Sequence, residues 1–148
     1  MISFFPDLNV WLALSVRGHG HSGDAWSWLR AAPDEARLVF SRYTQVGLLR
    51  LLTNRAVMGA ETLTLRRAWG VYDRWQEDPR VEFYLERRDI EAIFRDLTLR
   101  YARLPATKLV GDCYVLALAV HSGATLVTFD GGLLELARKE GHRAVMPG

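Results

Sequence analysis

Apolar positions recur along this chain in two rhythms, and the alternation between them sets the expected architecture. Short runs rich in apolar and β-branched residues fall at Ile2–Phe5, Arg37–Ser41, Val81–Leu85, Thr125–Phe129 and Arg143–Met146. Such runs read as strands, and those apolar throughout suit a parallel sheet covered on both faces. Between them the period is helical. Leu8–Val16 follows the first run directly after Pro6 and Asp7. Ser22 is placed to cap a second helix with Ala25, Trp26, Leu29 and Ala32 as its buried stripe, leaving Trp28 off that stripe as an oligomer contact. Tyr43–Thr53 points Val46, Leu48, Leu49 and Leu52 inward. A longer helix from Thr62 or Thr64 carries Leu65, Ala68, Trp69, Tyr72 and Trp75 and ends at Asp78-Pro79. Ile90, Ile93, Phe94, Leu97 and Tyr101 mark an amphipathic helix with Arg95, Arg100 and Arg103 outside.

The stretch from Lys108 to Leu133 organises the rest. Asp112 opens a run, Cys113–Val120, that is apolar on nearly every face, so this helix belongs in an interior. Gly123 stops it, the strand Thr125–Phe129 follows at once, and Asp130 and the pair Gly131-Gly132 form the next joint. Helices between successive strands imply crossover connections and a parallel sheet. The expectation is an α/β fold, a three-layer sandwich with a central parallel sheet, forming a single domain over residues 1–148.

Composition changes this picture little. The chain is 49% apolar and 24% charged, as a globular protein should be, and its net charge of +2 includes no run of one sign to concentrate a field. Arginine supplies 17 of the 19 basic residues, a bias that suits bidentate phosphate contacts. The single cysteine, Cys113, excludes an intrachain disulfide and a thiolate metal site. The apolar opening lacks a basic leader and is broken by Asp7 and Asn9, and no apolar stretch is long enough to span a bilayer. A cytoplasmic protein without a membrane anchor is expected. His19 and His21 lie in a Gly-rich turn and read as exposed or capping residues rather than as ligands.

The candidate chemistry is acidic. Asp7 follows the first strand, Asp130 follows the fourth, and Asp112 stands at a helix start. Capping explains each one singly. Three at one edge of one sheet repel one another unless a cation offsets them, and a hard divalent ion with oxygen ligands would do so while leaving room for phosphate.

The segments FPDLNVWLAL, SRYTQVGLLRLLTN and KLVGDCYVLALAVHSGATLVTFDGGL resemble the signature regions of PIN-domain ribonucleases, most closely the VapC-type toxins of bacterial toxin–antitoxin pairs. The resemblance spans essentially the whole chain. It implies an endoribonuclease dependent on Mg²⁺ or Mn²⁺, a homodimer, an RNA substrate and inhibition by a VapB-type antitoxin. By position, Asp7, Asp112 and Asp130 match the acidic catalytic metal site, and Asn9 and Thr128 match supporting polar residues. Arg42 and Arg50 are the arginines expected to contact RNA. Gln45 stands where many members carry glutamate, which removes one negative charge from the site.

Two other readings are open to the residues. A phosphatase with an aspartate nucleophile would need a second acid two residues after the first, and Asn9 stands there. A catalytically weak PIN-fold module that binds RNA or a partner protein without cutting is the stronger alternative. An inhibitory antitoxin tail is expected to deliver a basic residue to the acids, with its apolar anchor near Trp11, Trp26, Trp28 or the Thr62–Trp75 helix.

Overall fold

The first strand, β1 (Ser3–Pro6), lies at the centre of a five-stranded sheet, and the chain builds outward from it in both directions. The computed structural model describes residues 2–105 and 107–148. After β1 come α1 (Leu8–Ser15), α2 (Ser22–Ala31), β2 (Arg37–Ser41), α3 (Arg42–Leu52) and a short α4 (Arg55–Met58) that runs into a 3-10 turn at Gly59–Glu61. Then follow α5 (Leu65–Glu77), β3 (Val81–Tyr84), α6 (Ile90–Leu99), α7 (Thr107–His121), β4 (Thr125–Val127), α8 (Gly131–Lys139) and β5 (Ala144–Val145). Every pairing is parallel and the strand order is β3-β2-β1-β4-β5. The α/β sandwich with a central parallel sheet is therefore the observed fold.

Side chains alternate across the strands and feed two cores. Phe5, Val39 and Leu126 join α6, α7 and α8 on one face. Leu38, Phe40 and Val127 join α1, α2, α3 and α5 on the other. Both faces are covered, which is why the strands read as continuous apolar runs. The second core is aromatic: Trp11 is fully buried, stacks on Phe40 at 3.9 Å and meets Trp75 edge-on at 5.2 Å. Trp11 therefore cannot serve as an exposed anchor for a partner. Trp28, expected at an oligomer contact, instead packs edge-on against Phe4 of β1 at 5.3 Å.

Several element boundaries differ from expectation, each for a local reason. Asp112 does not open its helix. α7 starts at Thr107, so Asp112 lies in its second turn with Gly111 inside the helix. In α3 the buried face is Thr44, Gln45, Leu48 and Leu52, while Val46 is 46% exposed. Thr44 is buried because it forms a capping box with Ser41: each side chain takes the other's backbone N–H, at 3.3 and 3.0 Å. A pattern that counts only apolar residues misses that face. Leu65 and Trp69 of α5 are likewise exposed, while Ala68 and Tyr72 are buried and Val71 and Trp75 pack against the core. Ser22 is the first residue of α2 rather than its cap, and His21 takes the cap position without a side-chain bond. Gly131-Gly132 is no mere joint: it opens α8, which Asp130 caps.

Candidate functional site

Strand order reverses between β1 and β4, since the chain moves from β1 to β2 and β3 on one side and places β4 and β5 on the other. At such a reversal the loops leaving the two strands diverge and open a crevice at the C-terminal edge. Asp7 leaves β1 at this edge, and Thr128, Phe129 and Asp130 leave β4 beside it. The sheet holds the two loops together, because Asp7 N–H donates to the Val127 carbonyl at 2.8 Å.

Hydrogen bonds fix the residues of the crevice in a chain. Asp7 Oδ1 accepts from its neighbour's amide, Leu8 N–H, at 2.7 Å, and Oδ2 accepts from the Thr128 hydroxyl at 2.9 Å. Thr128 Oγ1 also accepts the Asp130 N–H at 3.0 Å and stands 3.5 Å from the Asn9 amide nitrogen. Asn9 Oδ1 in turn accepts from Phe129 N–H at 3.2 Å. Thr128 and Asn9 thus tie the ends of β1 and β4 to each other. Asp130 Oδ1 caps α8 by accepting from Gly132 N–H and Leu133 N–H at 2.9 and 3.2 Å. Its other oxygen faces away from that helix and accepts from Lys108 Nζ at 3.0 Å. The same ammonium donates to Asp112 Oδ2 at 2.8 Å.

Electrostatics separate the three acids. Asp7 is 9% exposed, and burial pushes its carboxyl above the usual range. Its two hydrogen-bond donors act against that rise, and the charges of Asp130 and Asp112 add to it. For Asp130, burial is the largest effect and also raises. The Lys108 ammonium and the amides of Leu133 and Gly132 together outweigh it and hold the carboxyl below the usual range. Lys108 is pushed up to about 12 by its hydrogen bonds to Asp112 and then to Asp130. Among the described residues, no group of three or more His, Cys, Asp or Glu side chains stands at metal-holding spacing. The three acids share a crevice, but their oxygens turn to Thr128, to the α8 amides and to the lysine.

The other expected residues lie beside this group. Gln45 is buried at 5% exposure, and its Oε1 accepts from Arg42 Nη1 at 2.6 Å. Its carbonyl oxygen thus faces an arginine. Arg42 also lies over the Phe83 ring at 4.8 Å. Arg42 and Arg50 both line a cleft of about 540 Å³ with Leu8, Tyr43, Phe83, Glu86 and Tyr114. This cleft adjoins the acidic crevice through Leu8 and Tyr43 rather than containing it. Burial raises the Tyr43 hydroxyl, and the charges of Asp7 and then Asp112 raise it further, which marks its closeness to both. His19 and His21 join no cluster of acids. His21 stacks on Phe129 at 4.3 Å, and its N–H donates to His19 Nδ1 at 3.0 Å.

Lys108 and Tyr43 are the residues that pattern reading overlooked. Lys108 is four residues before Asp112, the spacing of a helical ion pair. That signal becomes legible only when the helix is known to begin before Asp112.

Comparison with known proteins bears on the family and the fold. The PIN domain family matches residues 4–139. Ribonuclease VapC41 of Mycobacterium tuberculosis is 40% identical over 128 residues, covering 84% of this chain and 86% of that protein. Among solved structures, Mycobacterium tuberculosis VapC20, a sarcin–ricin loop cleaving toxin, superposes with a TM-score of 0.69 at 20% identity, over 97% of this chain and 99% of its own. VapBC2 from Rickettsia felis, bound to a DNA fragment from its promoter, gives a TM-score of 0.72 at 13% identity, over 99% of this chain and 100% of its own. These two show the likeness of fold, whereas the family match and the 40% relative reach the sequence itself. The chain belongs to the PIN-domain family and is homologous to its VapC-type ribonucleases, the toxins of type II toxin–antitoxin systems.

Proposed function

We propose that this protein is a metal-dependent endoribonuclease acting as the toxin of a toxin–antitoxin pair, with Asp7, Asp112 and Asp130 as its catalytic acids. The observation that carries the reading is the meeting of three carboxylates at the reversal of strand order, two of them already sharing one cationic group. The donor set fits a hard divalent ion. It consists of carboxylate oxygens, and Asp7 is buried with no cation in contact among the described residues, a cost that a bound ion would relieve. Mg²⁺ or Mn²⁺ held by these residues would polarise a phosphoryl oxygen and favour an attacking hydroxide.

The chain's own residues do the positioning. Thr128 holds Asp7 in one orientation through Oδ2, and Asn9 holds the Phe129 backbone that carries Asp130. Arg42 and Arg50, at the adjoining cleft, are the groups for the phosphates of the strand on its way to the acids. A VapB-type antitoxin and a homodimeric state belong to the same proposal. The antitoxin is supported by a solved structure of like fold, a toxin–antitoxin complex from Klebsiella pneumoniae.

One observation favours a second reading, that of a binding module without cleavage. Gln45 supplies no negative charge, and Arg42 engages its one carbonyl oxygen. Purified protein incubated with structured RNA in Mg²⁺, Mn²⁺ or EDTA separates the two. Cleavage in either metal, none in EDTA and its loss in Asp112→Asn are the expected results. RNA binding without cleavage in any metal would establish the second reading instead.

A further inference from the structure

Lys108 is the group in this site that neither the three acids nor their supporting residues account for. Its ammonium bridges carboxylates from two different elements: Asp112 on α7 at 2.8 Å, and Asp130 at the joint of β4 and α8 at 3.0 Å. A helical ion pair alone would involve only Asp112. The second contact spans 22 positions in sequence and places the positive charge between two of the three acids. We propose that Lys108 is a built-in counterion, which holds the metal-free site together and must be displaced for a divalent ion to bind. This rests on the metal-dependent reading above and adds a regulation of the same site: the concentration of metal at which the enzyme loads is set by competition with its own side chain.

Three features of the geometry carry the inference. The first is the position of the charge. Removing the ammonium would leave Asp112 and Asp130 facing each other and Asp7, which like-charge repulsion disfavours. The second is the distance at which it holds the oxygens. An ammonium keeps its acceptors at 2.8 to 3.0 Å here, whereas Mg²⁺ draws its ligands to about 2.1 Å. The two cations thus hold the same oxygens at different distances, and one must leave for the other to take its place. The third is the chemistry of the side chain. Lys108 is one of two lysines among 19 basic residues. An arginine fork would bind the carboxylates bidentately and resist displacement. An ammonium is a compact charge on a flexible stem, and this one is 68% exposed, so it can withdraw into water when a stronger cation arrives.

The test measures cation binding directly, without RNA. Manganese affinity is determined by calorimetry for the wild type, Lys108→Met and Lys108→Gln, and Tm is recorded for each in EDTA and in saturating Mn²⁺. Loss of the ammonium is expected to tighten Mn²⁺ binding about five- to tenfold, the scale of two exposed ion pairs. It is also expected to lower Tm in EDTA and to widen the Tm gain on adding Mn²⁺. Wild type and variants that bind Mn²⁺ equally, with equal Tm gains, would overturn the role of Lys108 and leave the acidic metal site standing. A variant that binds Mn²⁺ more weakly would make Lys108 a support for the metal rather than its competitor, and would equally overturn the proposal. No saturable Mn²⁺ binding in any of the three proteins would overturn both this inference and the metal-dependent reading.

Discussion

Asp7, a catalytic acid on the proposed reading, works against the stability of its own fold. Burial raises its carboxyl, so the folded protein retains a proton at a pH where the unfolded chain has released it. The stabilising contribution of that retained proton is complete below the unfolded pKa and is lost as pH rises through the folded one. At neutral pH without metal, the buried charge is a cost. Asp7→Asn is therefore expected to raise Tm in EDTA at pH 7.5 by a few degrees, while abolishing cleavage. The gain should shrink as pH falls toward 4 and the wild-type carboxyl takes up its proton. Thermal unfolding across that range checks it, and a Tm difference independent of pH would show that burial of charge is not the cause. Thr128 and Asn9 each sit a short, fixed distance along the chain from an acid, and they join the ends of β1 and β4. Gln45 accepts from Arg42, a partner set by the turn of α3.

At the scale of elements, α3 and α1 meet at one close contact that bears on the site. A Cβ on Gly47 would come within 2.6 Å of Leu8 Cδ2 and 3.1 Å of Cδ1. Leu8 is also the residue whose N–H holds Asp7. Gly47→Val is expected to cost about 2–3 kcal/mol, because overpacking and a β-branched side chain in a helix act together. Gly70, within α5, has nothing within 4 Å of such a Cβ. Gly70→Ala is expected to add about 0.5–1 kcal/mol through helix propensity and the unfolded chain. Urea unfolding of both variants tests the pair. Equal effects would mean that the contact with Leu8 yields freely. The existence and type of most elements were legible from periodicity, whereas their buried faces were less so. In α3 the face holds Thr44 and Gln45, polar residues that are buried by a capping box and an arginine contact. In α7 the start lies at Thr107, and the helix runs on through Gly111.

Across the whole molecule, a net charge of +2 is too small to gather RNA by a general field, so attraction has to come from local cations. Arg42 and Arg50 stand at the cleft beside the acids. On the nuclease reading, changing both to alanine should reduce the salt dependence of RNA binding by a slope of about 1.4, from roughly 0.7 per phosphate contact on a single strand. Binding titrations from 50 to 200 mM salt would measure it on the order of that range, and an unchanged slope would remove both residues from the RNA path. Among the described residues, no helix is long and apolar enough to cross a membrane. The sequence offered Asp7, Asp112 and Asp130 as candidate acids, and by itself it determined the α/β class and the parallel sheet. Those follow from local period and from the rule that crossover connections return every strand in the same direction. Only the tertiary structure decided which atoms those acids face. Asp7 turned to Thr128, Asp130 divided itself between the α8 amides and Lys108, and Trp11 went to the core rather than the surface. Contacts of that kind join residues up to 121 positions apart, and they depend on strand order and helix phase, which no local pattern records.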